Sequence, residues 1–357
     1  MHLRKMSELN IGLIGTGSIS EAHLQAYRAN PRAKLLAICD VNEERARNMA
    51  GKYDIPHVYT DYREMFANPE VHAVSICTWN NTHAAISIAA LEAGKQVLCE
   101  KPLCITVDEA LQVQQAVQRT DNLLQVGYVR RHASNIGVLK KFIDAGDLGE
   151  IYYAKASLLR RLGNPGGWFA DKSRSGGGPL IDIGVHAIDL CWYLMGRPKV
   201  KSVSGNTYAK LGNRSNIENY PFYQAADYDA SLNTVEDMAN ALIRFENGAS
   251  LMVDVSFSLH AKQNSAQINI YGDKGGAEIE PALSIVTERH NTIVNLDPQI
   301  SSPGFDFHVA FQNEINHFIS SCLDGIPPIS PVEDGVEMIK ILNAIYESAA
   351  EGREIQF

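Results

Sequence analysis

The sequence predicts an α/β N-terminal half, built as a Rossmann-type doubly wound parallel sheet, followed by an α+β C-terminal half with a large, mostly antiparallel open sheet. Three observations predict it. Short apolar runs alternate with helix-period segments through the first third of the chain. A glycine-rich turn stands where the first apolar run meets the first helix pattern. After about Val200, long alternating runs joined by glycine-rich turns replace that rhythm.

The strand candidates of the first third are Asn10–Ile14, Lys34–Cys39, Val71–Cys77, Gln96–Cys99 and Leu123–Val126. Helix patterns fill the gaps near Ile19–Ala29, Glu43–Lys52, Thr82–Ala93 and Val107–Arg119, with Gly94 where a helix C′ glycine belongs. The rhythm changes after Tyr128, which divides the chain into 1–128 and 129–357. A helix pattern (Asn135–Ala145), a strand (Ile151–Leu159) and a helix opened by a glycine-rich loop (Leu180–Met195) come next. The alternating runs Met238–Phe245 and Ser250–Ser258 flank Asn247-Gly248, a hairpin signal in which both turn residues take positive φ. Helix patterns at Phe311–Leu323 and Val332–Ala350 close the chain. The stretch Asn206–Ala230 is polar, aromatic and irregular, and reads as a loop near a site or a subunit contact.

Composition narrows the function classes. The 357 residues are 45% hydrophobic and 20% charged, with a net charge of −9 and no basic stripe. That excludes an electrostatic nucleic-acid binder. Six cysteines (39, 77, 99, 104, 191 and 322) form no Cys-x-x-Cys pair and mostly sit in apolar runs, which suits buried thiols and a reducing compartment. The N-terminus is charged without an apolar core segment, unlike a secretory signal. No stretch approaches the roughly 18 apolar residues of a membrane helix. A soluble, cytoplasmic protein is expected.

The first strand runs into Gly15-Thr16-Gly17-Ser18-Ile19-Ser20. In such a Gly-x-Gly-x-x-small turn the first glycine permits the bend. The second lets a pyrophosphate approach the backbone, and the third small residue allows close helix–strand packing. The helix N-terminus at Ser18 and Ile19 offers N–H groups to phosphate. Asp40 ends the second strand 20 residues past Ser20, where a carboxylate binds ribose hydroxyls and repels a 2′-phosphate. NAD is therefore favoured over NADP; the plainer reading of Asp40 is a cap for the next helix.

Two further segments carry candidate chemistry. Glu100-Lys101-Pro102 follows a strand at the carboxyl edge of the sheet, where open α/β sheets bind ligands, and Pro102 keeps Lys101 extended. On the helix after Gly176-Gly177-Gly178-Pro179, Asp182, His186 and Asp189 stand at i, i+4 and i+7 and share one face. A carboxylate beside an imidazole orients it and favours its protonated form. The plainer readings are a solvated lysine, a helix cap and a structural histidine. No third ligand set supports a metal.

Taken together, the Gly15–Ser20 turn, Glu100-Lys101-Pro102, Gly127 with Arg130 and Arg131, and the Asp182…His186 helix resemble the glucose–fructose oxidoreductase/inositol dehydrogenase/MocA (Gfo/Idh/MocA) family over nearly the whole chain. The resemblance implies Lys101, Asp182 and His186 as the catalytic set. It implies a second domain that binds substrate and builds dimers or tetramers through its open sheet. Many relatives have Thr-Pro-Asn-x-x-His where this chain has Thr78-Trp79-Asn80-Asn81-Thr82-His83; Thr78, Asn80, His83, Glu100 and Lys101 are then cofactor contacts, with Trp79 a departure. The expected reaction is oxidation of a secondary alcohol on a sugar or cyclitol, with His186 as base, Asp182 orienting it and Lys101 stabilising the alkoxide. Tyr128, Arg130, Trp168, Asp189, Asn206 and Tyr208 are further substrate candidates. The alternatives are an NAD-dependent glycosidase working by transient oxidation and a non-catalytic NAD(P) sensor.

Overall fold

The computed structural model describes residues 6–212, 214–225, 227–229 and 231–357. The reading of the N-terminus as no secretory signal falls partly on residues 1–5, and the irregular stretch includes 213, 226 and 230; these lie outside the described residues.

By internal contacts the chain forms two compact units. The first is Met1–His132 with Phe307–Ile339, and the second is Ala133–Asp306 with Lys340–Phe357. The first holds a six-stranded sheet of β1 (Leu9–Ile14), β2 (Ala33–Cys39), β3 (His57–Tyr59), β4 (Ala73–Ile76), β5 (Gln96–Glu100) and β6 (Leu124–Gly127). All are parallel, in the order β3-β2-β1-β4-β5-β6. The order reverses beside β1, the switch point at which such sheets open a ligand crevice. The connecting helices are α1 (Ser18–Ala29), α2 (Glu43–Tyr53), α3 (Tyr62–Ala67), α4 (His83–Glu92) and α5 (Val107–Thr120). Parallel strands covered on both faces are mostly apolar, and β4 is buried at every position.

The short pair β3 and α3 is absent from the sequence reading. Three residues at a sheet edge, His57–Tyr59, carry too little periodicity to register.

The grouping by contacts differs from a division at 128/129 in one respect, because residues 307–339 pack with the first unit. Helix α9 (Phe307–Asp324), which follows the second sheet, carries Ile315, Phe318, Ile319, Cys322 and Leu323 into one core with Leu9, Ile11, Tyr27, Ala73 and Leu98. Its apolar stripe has to be buried somewhere, and the β1 side of the first sheet is where it goes.

The second unit holds α6 (Ser134–Asp144), β7 (Ile151–Leu159), the single turn α7 (Lys172–Ser175) and α8 (Val185–Leu194). Its remaining strands are β8 (Val200–Tyr208), β9 (Met238–Phe245), β10 (Ser250–Ser256), β11 (Ser265–Gly272), β12 (Gly275–Glu280), β13 (Ser284–Arg289), β14 (Thr292–Leu296) and β15 (Ile355–Gln356). Helix α10 (Val332–Glu351) starts in the first unit and, from Lys340 on, belongs to the second, where β15 follows it. The nine strands run in the order β14-β13-β12-β11-β7-β10-β9-β8-β15, antiparallel except for β7 against β10. The fold class read from the sequence therefore holds in both halves.

The hairpin at Asn247-Gly248 forms, in register Ser250↔Arg244, but only Gly248 has positive φ (89°). The Gly248 N–H donates to Phe245 O at 3.1 Å, and Asn247 Oδ1 accepts the Ala249 N–H at 3.1 Å. This is a longer loop with a left-handed glycine near its end, so the asparagine serves through its side chain.

Candidate active site

The first turn is built for a dinucleotide. Gly15 has φ of 89°, and a Cβ there would lie 2.6 Å from Cys77 O, so only glycine brings β1 this close to the end of β4. Gly17 is exposed and heads α1 with no side-chain cap, and a Cβ there would meet nothing within 4 Å. That open space in front of a helix N-terminus, beside exposed Ser18 and half-exposed Ile19, fits a pyrophosphate. Ser20 is buried and donates its hydroxyl to Gly17 O at 2.6 Å, which explains serine in place of a third glycine.

Asp40, the expected ribose partner, is also engaged within the turn itself. Its Oδ2 accepts the Thr16 N–H (2.8 Å) and hydroxyl (2.6 Å), and its Oδ1 accepts the Asn42 N–H (2.8 Å) and Arg45 (3.2 Å). Burial alone would raise its carboxyl; the Thr16 and Asn42 hydrogen bonds and the Arg45 charge outweigh that and hold it below the ordinary value. The side chain ties the glycine turn to the end of β2.

Lys101 is the one residue of 97–104 that is not buried. Glu100 and His83, expected as cofactor contacts, are buried on either side of it. Glu100 Oε2 accepts the Lys101 N–H (3.2 Å), and His83 Nδ1 donates to Pro102 O (2.7 Å). His83 also lies 3.2 Å from Thr78 O, and burial holds its imidazole below the ordinary value. Asn80 is buried, Thr78 is half-buried, and Trp79, the departure from the family pattern, is 38% exposed. Gly127 lets β6 approach β5 here, since a Cβ would lie 3.2 Å from Glu100 Cα.

In the second unit the glycine loop opens into a π-helical turn, Leu180–Gly184, and then into α8. Among residues 177–192 only Asp182 and His186 are not buried. Asp189, expected on the same face, is 1% exposed. Glu236, which sequence reasoning missed, holds this turn: it accepts the N–H groups of Gly178 (2.9 Å) and Leu180 (3.2 Å) and the Tyr346 hydroxyl (2.8 Å). Its partners lie 56 to 110 positions away, so no local pattern marks it.

The other substrate candidates divide. Tyr128 is fully buried, with the Arg131 guanidinium 5.2 Å from its ring centre. Arg130 and Trp168 are half-buried, and Trp168 stacks on Phe169 at 3.9 Å. Asn206 and Tyr208 lie exposed on β8. Among the described residues no group of three or more His, Cys, Asp or Glu is arranged to hold a metal.

Comparison with known proteins agrees with this architecture. Residues 9–128 match the family model of oxidoreductases with an NAD-binding Rossmann fold, and residues 140–357 match the family's C-terminal alpha/beta domain. The chain is 32% identical to D-glucoside 3-dehydrogenase of Escherichia coli K12, over 98% of each chain. It is 27% identical to myo-inositol 2-dehydrogenase of Thermotoga maritima, again over 98% of each. Among solved structures it is similar to levoglucosan dehydrogenase in complex with NADH and levoglucosan, at a TM-score of 0.85, 26% identity, and coverage of 98% of this chain and 99% of that one. With both domain models matched in order and a cradle fitted to NAD, the chain belongs to the Gfo/Idh/MocA family of NAD-binding oxidoreductases.

Proposed function

We propose that the protein is an NAD-dependent dehydrogenase that oxidises a secondary hydroxyl of a sugar or cyclitol ring. One observation carries the reading: in two otherwise buried segments, 97–104 and 177–192, the side chains that reach solvent are Lys101, Asp182 and His186. Buried surroundings with selected polar groups left open are what a proton-transfer site needs. The bound nicotinamide supplies the hydride acceptor. His186 takes the hydroxyl proton, Asp182 orients the imidazole and stabilises its charged form, and Lys101 hydrogen-bonds the developing alkoxide. The names of the relatives support a ring polyol as substrate. Arg130 and Trp168, both half-buried, are the side chains proposed to sort substrates.

The test is absorbance at 340 nm with NAD, then NADP, across inositols, aldoses, glucosides and anhydrosugars. A rise with one ring polyol, lost in His186→Ala, supports the reading. NAD retained on the protein with no reduction by any of them sinks it in favour of transient oxidation or sensing.

The surroundings are proposed on similar grounds. Tyr153 and Tyr271 are paired across β7 and β11 and stack at 5.5 Å; Met252, two residues along β10 from Tyr153's partner Ser250, and Val286, the partner of Gly276 beside Tyr271, are 41% and 36% exposed. Such a face supports a homodimer or homotetramer, checked by light scattering. All six cysteines are buried free thiols, which suits the cytoplasm. No described helix is long and apolar enough to cross a membrane.

A further inference from the structure

The first unit contains a buried polar chain that the reaction as described does not use. His23, on the inner face of α1, is 0% exposed. Its Nε2 lies 2.7 Å from Glu100 Oε1, and its Nδ1 lies 3.3 Å from the Ser75 hydroxyl, which in turn meets the Tyr27 hydroxyl at 2.7 Å. Phe311 packs edge-on against the imidazole at 5.4 Å and restrains its swing. Glu100 spends its other oxygen on the N–H of Lys101. The far side of Lys101 is held as well, through the bond from His83 to Pro102 O.

A buried ionisable pair is poor value as a source of stability, since well-packed apolar side chains of similar volume often do as well. What a hydrogen-bonded pair adds is direction. This one runs from α1, the helix whose first turn forms the cofactor cradle, to the one solvent-reaching residue at the end of β5.

We propose that His23 is a positioning residue: acting through Glu100, it fixes the backbone at Lys101 and ties the lysine to the cofactor-binding helix. The catalytic consequence rests on the proposed role of Lys101; the structural link does not. A loosened link lets the ammonium wander, and a displacement of about 1 Å costs a reacting group up to about a hundredfold in rate.

Two buried polar variants separate the effect from general damage. The amide of His23→Gln still reaches Glu100. That of His23→Asn is one bond shorter and reaches only Ser75. Both are made in the full chain with lysines reductively ¹³C-methylated, and the Lys101 resonance is identified by its loss in Lys101→Met. The expected result is a wild-type Lys101 resonance in His23→Gln and a shifted or broadened one in His23→Asn, with the other lysine resonances unmoved. With the best polyol, kcat falls about tenfold or more in His23→Asn, KM for NAD stays within about twofold, and His23→Gln recovers most of the loss. A wild-type Lys101 resonance in both variants, or the same disturbance in both, overturns the proposal. Full turnover in Lys101→Met sinks the catalytic reading of Lys101 instead and leaves the resonance test intact.

Discussion

The Glu236 carboxylate accepts the N–H of Gly178 at 2.9 Å, holding a glycine loop whose next turn carries Asp182. The same carboxylate takes the Leu180 N–H and the Tyr346 hydroxyl, so one buried acid caps the π turn from outside it. Removing it leaves buried N–H groups and a phenol without an acceptor. Glu236→Ala is expected to cost about 2–4 kcal/mol in urea unfolding. Burial outweighs the hydrogen bonds and raises the Glu236 carboxyl above its ordinary value. The folded state then holds a proton that the unfolded state releases, so stability falls as pH rises from the unfolded value of about 4.3 through the folded one. Glu236→Gln, unable to ionise, should lose this pH dependence; an unchanged slope of unfolding free energy against pH refutes the assignment.

The two glycines of the first turn should fail in opposite ways. Gly17 has φ of −73° and open space around its absent Cβ, whereas a Cβ at Gly15 would lie 2.6 Å from Cys77 O at a φ of 89°. Gly17→Ala is expected to fold and melt like the parent yet lose at least about tenfold in NADH affinity, because its methyl enters the phosphate space. Gly15→Ala should instead lower stability by about 1–3 kcal/mol. Thermal melts beside NADH fluorescence titrations separate the two; normal NADH binding by Gly17→Ala would move the pyrophosphate elsewhere.

Asp40 is expected to act through the turn it closes. Asp40→Ala frees Thr16 and Arg45 together and should weaken NADH binding while lowering stability by about 1–3 kcal/mol. Its carboxyl is depressed in the fold. The stabilisation is therefore fully present above the unfolded value of about 3.9 and is lost as pH falls through the folded one. Acid titration of parent and variant should converge below that range; a stability difference that persists undiminished at the acid end contradicts the linkage.

For the chemistry itself, Lys101→Met and His186→Ala are each expected to lower kcat by about 10²–10⁴-fold with NADH affinity preserved. The fluorescence titration is the control. If either variant keeps its turnover, that residue leaves the mechanism.

Much of this was legible along the chain because the cofactor chemistry is local. Gly15, Gly17 and Ser20 lie within six residues, and Asp182 and His186 within one helical turn. Lys101 was marked by its place at a strand end. What stayed hidden depends on contacts distant in sequence. Glu236 meets Leu180 across 56 residues, and His23 meets Glu100 across 77. His23, beside Ser20, Leu24 and Tyr27 on α1, drew no notice in the sequence, since nothing local names its partner. The burial of Asp189 is likewise not legible from spacing, because a π turn cannot be told from an α turn there.

The return of α9 to the first sheet sets the order in which the molecule can be assembled during synthesis. Leu9, Ile11, Tyr27 and Leu98 wait for Ile315 and Phe318, so the core that backs the nucleotide fold is incomplete until the ribosome has passed both. At about 5–20 residues per second, the intervening segment Ala133–Asp306 takes on the order of 10–35 s to make. Throughout that interval the nascent nucleotide-binding half presents an apolar surface, and a fragment cut after residue 128 would present it permanently.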